Sequence, residues 1–81
     1  MKVVVKRRDP EVRDIPITTE FIRLEALLKL ADLVPSGGAA KTLIQDGEAT
    51  VNGEPCTMRG KKLRNGDQVI FMGQKLRVVG P

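Results

Sequence analysis

The chain has 81 residues, with 14 basic and 10 acidic side chains, no histidine, one cysteine, and neither tryptophan nor tyrosine. That length holds one small domain with a thin core and excludes a catalytic domain standing beside a separate binding domain. A hydrophobic fraction of 41% with 30% charged residues excludes a disordered chain, and the net charge of +4 favours a polyanionic partner.

In chain order, "KVVVKRR" (residues 2–8) is β-branched and reads as an N-terminal strand, and "DPEVRD" (9–14) as a turn carrying Pro10. "IPITTEF" (15–21) reads as extended, with Pro16 opposing a helix. Thr18 or Thr19 then caps a helix whose apolar stripe is Phe21, Leu24, Leu27, Leu28 and Ala31, the spacing of one buried face. Glu25 and Lys29 fall one turn apart on its wet side. Pro35 separates this helix from a second, over 37–46, capped by Ser36, burying Ala40, Leu43 and Ile44 and stopped by Gly47. "EATV" (48–51) reads as a short strand, and Asn52-Gly53 as the strongest hairpin signal in the chain. Pro55 lacks an amide donor, so the returning arm is expected to be short or at an edge. "RGKKLR" (59–64) reads as a loop, "NGD" (65–67) as a turn, and "QVIFM" and "KLRVVG" as strands joined around Gly73-Gln74. The order is strand, two helices, then three or four antiparallel strands, which is an α+β layout in a single domain over 1–81.

Charge is unevenly distributed. Residues 1–17 carry net +2, 18–46 net −1 and 47–81 net +3, so the middle reads as scaffold. Arg59, Lys61, Lys62 and Arg64 stand within six residues with no acid between them, a crowding that a counterion partner explains and that a merely solvated loop also allows. "SGGAAKT" fails as a nucleotide-binding loop, because the positions that need glycine hold Pro35 and Ala40. A weaker phosphate reading survives: the first amides of the second helix have no internal partner, Gly37 and Gly38 leave them bare, and Lys41 lies one turn on. Against it, the glycines permit close helix packing and Lys41 reads as an ordinary solvated lysine.

Catalysis finds no support. Histidine is absent, Cys56 has no base beside it and reads as a buried structural thiol, and no acidic cluster has metal-ligand spacing. No enzyme activity, cofactor, metal or small-molecule substrate is expected. Cys56 has no partner for an internal disulfide, and the three valines of "MKVVVKRR" are far short of a secretory leader or a membrane span. The expectation is a cytoplasmic monomer with no membrane contact. Base stacking is expected to be absent too, since Phe21 and Phe71 both read as core.

"IRLEALLKLADLVPSGGAAKTLIQDGEATVNG", followed by "KLRNGDQVIF", resembles the small RNA-binding domain named after ribosomal small-subunit protein four, the S-four domain. The family pattern runs R-L-D-x-x-L, then S-R-x-x-A-R-x-L-I-x-x-G-x-V-x-V-N-G, then G-D-x-I or G-D-x-V. Arg23-Leu24-Glu25 takes the first part, with Glu for Asp. Ser36, Ala40, Lys41, Leu43, Ile44, Gly47, Val51, Asn52 and Gly53 take the second, and Gly66-Asp67 and Val69 close it. The resemblance covers residues 22–71. It implies two helices packed on a small curved antiparallel sheet, here with an extra N-terminal strand over 1–17. It also implies binding of structured, ribosomal or tRNA-like RNA, by a chain similar to the stand-alone bacterial members. The family's two arginines after the serine are Gly37 and Lys41 here, and lysine lacks arginine's bidentate fork. The RNA-binding set implied is Arg23, Gly37, Gly38, Lys41, Arg59, Lys61, Lys62 and Arg64, with the basic loop compensating for the missing arginines. A DNA-binding helix-turn-helix and a protein-interaction module are the alternatives. A sulfur-carrier domain is disfavoured by the "VVGP" ending, which lacks a terminal Gly-Gly.

Overall fold

The computed structural model describes residues 12–81. The strand expected over 2–8 lies outside the described residues. Seven strands and two helices follow: β1 (Val12–Pro16), β2 (Ile22–Arg23), α1 (Leu24–Leu30), α2 (Gly37–Gln45), β3 (Ala49–Val51), β4 (Glu54–Pro55), β5 (Lys62–Leu63), β6 (Gln68–Phe71) and β7 (Gln74–Val79). The main sheet has 5 strands in the order β1-β7-β6-β3-β4, and β2 with β5 makes a separate two-stranded ladder.

The sheet is mixed, which corrects the antiparallel expectation. β1 runs parallel to β7, Val12 opposite Lys75 and Pro16 opposite Val79, while all other pairings are antiparallel. β1 occupies much of the stretch read as a turn. Two charges in a five-residue strand hide its pattern, but Arg13 is exposed at an edge, Ile15 alone is buried, and Asp14 pairs with Arg77 at 3.0 Å across the ladder.

The first helix starts later than its apolar spacing suggests. Ile22 and Arg23 pair with Leu63 and Lys62 before Leu24 opens α1, so Phe21 falls outside the helix. Neither threonine caps it: Thr19 donates its hydroxyl to the Phe21 carbonyl, and Arg23, at the cap position, makes no side-chain cap bond. The helix ends before Pro35 is reached. Asp32 adopts a left-handed conformation (φ 62°) while the amides of Asp32 and Leu33 donate to the carbonyls of Lys29 and Leu28. α2 follows its expected course. The Ser36 hydroxyl accepts from the Ala39 amide at 3.2 Å, and Gly47 (φ 87°) closes the helix as the Gly47 and Glu48 amides turn back to Ile44 and Leu43. Ala40 and Ile44 are buried and Leu43 half-buried.

Asn52-Gly53 and Met72-Gly73 both form turns with two consecutive left-handed residues, the geometry that suits the twist of a hairpin. The second turn is thus one residue earlier than the sequence indicates. β4 is two residues long and lies at the sheet edge, where a proline's missing donor does no harm. One core joins Leu24, Leu27 and Leu28 of α1 and Ala40 and Ile44 of α2 to Val69, Phe71, Leu76 and Val78 of the sheet. Among the described residues it contains no buried polar or charged side chain.

Candidate nucleic-acid interface

The basic stretch runs from the end of β4 into β5, and its backbone is fastened at both ends. On one side the Leu24 amide donates to the Lys61 carbonyl at 2.9 Å and the Glu25 amide to the Arg59 carbonyl at 3.0 Å. These are the first amides of α1, which have no partner within the helix. The loop therefore supplies the cap that Arg23 does not, and with its carbonyls turned to the helix the side chains of Arg59, Lys61 and Lys62 are left exposed. On the other side the Arg64 amide donates to Asp67 Oδ2 at 2.8 Å, the Asp67 amide returns to the Arg64 carbonyl, and Asn52 Nδ2 donates to Asp67 Oδ1 at 3.2 Å. The hairpin turn at Asn52 and the turn at Gly66-Asp67 thus form one clamp on the far end of the loop.

The β2–β5 ladder brings a distant residue in. Arg23 stands opposite Lys62 in register. The ring of Phe21 lies 4.9 Å from Lys62 Nζ and 5.9 Å from the Arg64 guanidinium, so these two cations share one aromatic neighbour. Lys61, Lys62 and Arg64 also line an open cleft of about 650 Å³ together with Asn52, Cys56 and Met58. Among the described residues no carboxylate forms an ion pair with Arg23, Arg59, Lys61, Lys62 or Arg64. Cys56, read as a buried structural thiol, packs against the core but is only half-buried on this cleft, its Sγ 3.6 Å from the Met58 carbonyl.

The start of α2 joins this surface through one residue. A Cβ built on Gly37 would lie 3.6 Å from Glu25 Oε1, and Glu25 is the residue whose amide holds the Arg59 carbonyl. Lys41, exposed, follows Gly37 by one turn on the same side of the helix. Glu25 therefore turns its carboxylate toward α2 instead of pairing with Lys29, and an acidic group sits where the two basic regions meet. A Cβ on Gly38 would lie 3.9 Å from the Ser36 hydroxyl; both distances are ordinary contacts, so neither glycine is needed for close helix packing.

Two features escaped the sequence. Phe21 belongs with the cations and not with the core, and Asp67 with Asn52 forms the clamp. The "NGD" turn signalled the second; nothing in the apolar spacing signalled the first. Among the described residues no group of three or more histidines, cysteines, aspartates or glutamates is placed to hold a metal, and no helix is long and apolar enough to cross a membrane.

Two helices on a mixed sheet, with an exposed basic loop capping the first helix, define a small α+β domain. Residues 15–79 match the family model of the S4 domain, and the chain belongs to that family. The match extends beyond the 22–71 motif to include Ile15 of β1 and all of β7. A protein of Bacillus subtilis (strain 168) described as the probable ribosome maturation protein RlbA is 49% identical over 59 residues, 73% of this chain and 83% of that one.

Proposed function

We propose that this chain binds structured RNA, with ribosomal RNA the first ligand to test, and that it does so as a non-catalytic monomer of the cytoplasm. The observation that carries this is the anchored basic loop: its carbonyls cap α1 while Arg59, Lys61, Lys62 and Arg64, joined by Arg23 across the ladder, stand exposed with no carboxylate among the described residues ion-paired to them. Family membership points to an RNA-related role, and the description of the Bacillus relative directs the choice of RNA toward the ribosome and its precursors. In this reading the cations flank a groove of an A-form helix and contact phosphates and 2′-hydroxyls, with Lys41 and the bare amides of Gly37 and Gly38 at one margin.

A DNA-reading helix-turn-helix needs a second helix rich in base-reading side chains. α2 offers Lys41, Thr42 and Gln45, and the Thr42 hydroxyl already donates to the Gly38 carbonyl at 3.2 Å.

The test is binding of a ribosomal RNA hairpin across a salt series, in competition with duplex DNA. About five neutralised phosphates give a slope of log K against log salt of roughly −3.5 to −4.5. Lys61→Glu with Lys62→Glu should lower the affinity and flatten the slope while the circular dichroism stays native. A salt-insensitive affinity, equal preference for DNA, or an unchanged affinity in the folded double variant refutes the proposal. Retention of a protein partner after nuclease treatment, with no RNA affinity, would favour a protein-interaction module.

A further inference from the structure

Phe21 is an aromatic residue without a place in the core. Phe71 is 1% exposed at the centre of the core, whereas Phe21 is neither a core residue nor one of the partly buried hydrophobics packed against it. Phe21 is half-buried, so part of its ring stays in contact with solvent. Its ring is held beside the cations of Lys62 and Arg64. It also forms one wall of an open cleft of about 490 Å³, separate from the cleft of the basic loop, whose other walls are Ile22, Arg23, Glu25, Ala26 and Lys29.

The chemistry of that cleft is mixed in a specific way. Phe21, Ile22 and Ala26 give an apolar wall, and Arg23 and Lys29 give two cations. A nucleotide has the complementary parts: a flat base with a π-face, and a phosphate. The volume falls in the range of small-ligand sites. Bases inside an A-form helix are stacked on each other and present only their edges, so the ring can be met only by a base that has left the stack. We infer that Phe21 is a stacking platform for one unpaired base, and that the RNA recognised is a helix carrying a bulge or loop nucleotide next to the segment gripped by Lys62 and Arg64. This rests on the RNA-binding reading above and adds the class of RNA to it.

The experiment uses two RNA hairpins of the same stem sequence, one perfectly paired and one with a single-nucleotide bulge. Stacking of one base on an aromatic side chain corresponds to a preference of about 5- to 150-fold for the bulged hairpin. Phe21→Leu should bring the ratio of the two affinities to about one, whatever the change in absolute affinity that follows from removing the ring beside Lys62 and Arg64. Because the chain has no tryptophan or tyrosine, Phe21→Trp introduces the sole indole. Its emission should be quenched by the bulged hairpin and not by the paired one, a signal that loss of a structural role would not produce and that survives if Phe21→Leu fails to fold. Salt-dependent binding of both hairpins with equal affinity, a preference that persists in Phe21→Leu, or identical quenching by both hairpins overturns the inference while leaving RNA binding standing. Failure of both hairpins to bind overturns the function proposed above instead.

Discussion

Replacing Asn52 by alanine tests how the hairpin turn and the basic loop are held together. Asn52 sits at φ 52° in the turn before Gly53. Its side chain makes two bonds: Oδ1 accepts from the Gln68 amide at 2.9 Å and Nδ2 donates to Asp67 Oδ1 at 3.2 Å. Each such bond is worth about 0.5–1.5 kcal/mol net, and their exposure places the pair toward the low end, about 1–2 kcal/mol together. Alanine also tolerates the left-handed region less well than asparagine, adding about 1 kcal/mol. The expected loss is thus about 2–3 kcal/mol, a fall in melting temperature of roughly 10–20 °C for a domain this small. Asn52→Gly keeps the conformational freedom and loses only the side-chain bonds, so it should fall by about 1 kcal/mol less than Asn52→Ala. Equilibrium urea denaturation measures both, and hydrogen exchange should speed up at the amides of Gln68 and Arg64, the second because Asp67, which accepts from it, loses its own restraint. Equal stabilities for the two variants would refute the turn-strain argument. A loss below about 0.5 kcal/mol in either would refute the clamp.

The other expectations concern single contacts. Leu63→Ala removes a side chain with no exposed surface from the strand that carries Lys62, and should cost about 2–5 kcal/mol in chemical denaturation. Met72→Asn should raise stability by about 0.5–1 kcal/mol, since an exposed methionine at φ 50° occupies a turn position that asparagine suits better. Arg77→Ala breaks the pair with Asp14, whose side chains are 30% and 31% exposed, and should shift stability by less than about 1 kcal/mol. Gly37→Ala meets no clash and should leave stability unchanged or raise it by up to about 1 kcal/mol; a several-fold weaker RNA affinity in the same variant would place the α2 amides in the interface, and an unchanged affinity would remove them.

What the sequence revealed of the fold were features with a local cause. Ser36 at a cap, Gly47 at a helix stop, Asn52-Gly53 at a hairpin and the 3.6-residue spacing of Leu24, Leu27, Leu28 and Ala31 each act within a few residues, and each appears in the structure at or near its expected place. The features that were not legible depend on pairing across distance. A two-residue strand such as β2 or β5 has no periodicity to read, and its existence rests on Ile22 and Leu63 meeting across the chain. β1 carries adjacent opposite charges that look like a turn until Arg77 stands opposite Asp14. Phe21 was misread for the same reason: its spacing from Leu24 fits a helix face, but the ladder with β5 claims the residues between them.

The ladder also explains why the basic loop has a defined shape despite its charge. Five cations on short, crowded segments repel one another, and a free loop would spread to relieve this. Here the relief comes from geometry already required by the helix: α1 begins with bare amides, and the carbonyls of Lys61 and Arg59 satisfy them. The same two bonds thus stabilise the helix start and fix the loop backbone. The backbone that carries the cations is thereby held without an anion, which on the RNA-binding proposal lowers the entropy that binding must overcome. In this arrangement the S4 domain core and its charged surface are not separable parts, and a change that frays the start of α1 should weaken anion binding even when every lysine and arginine is retained.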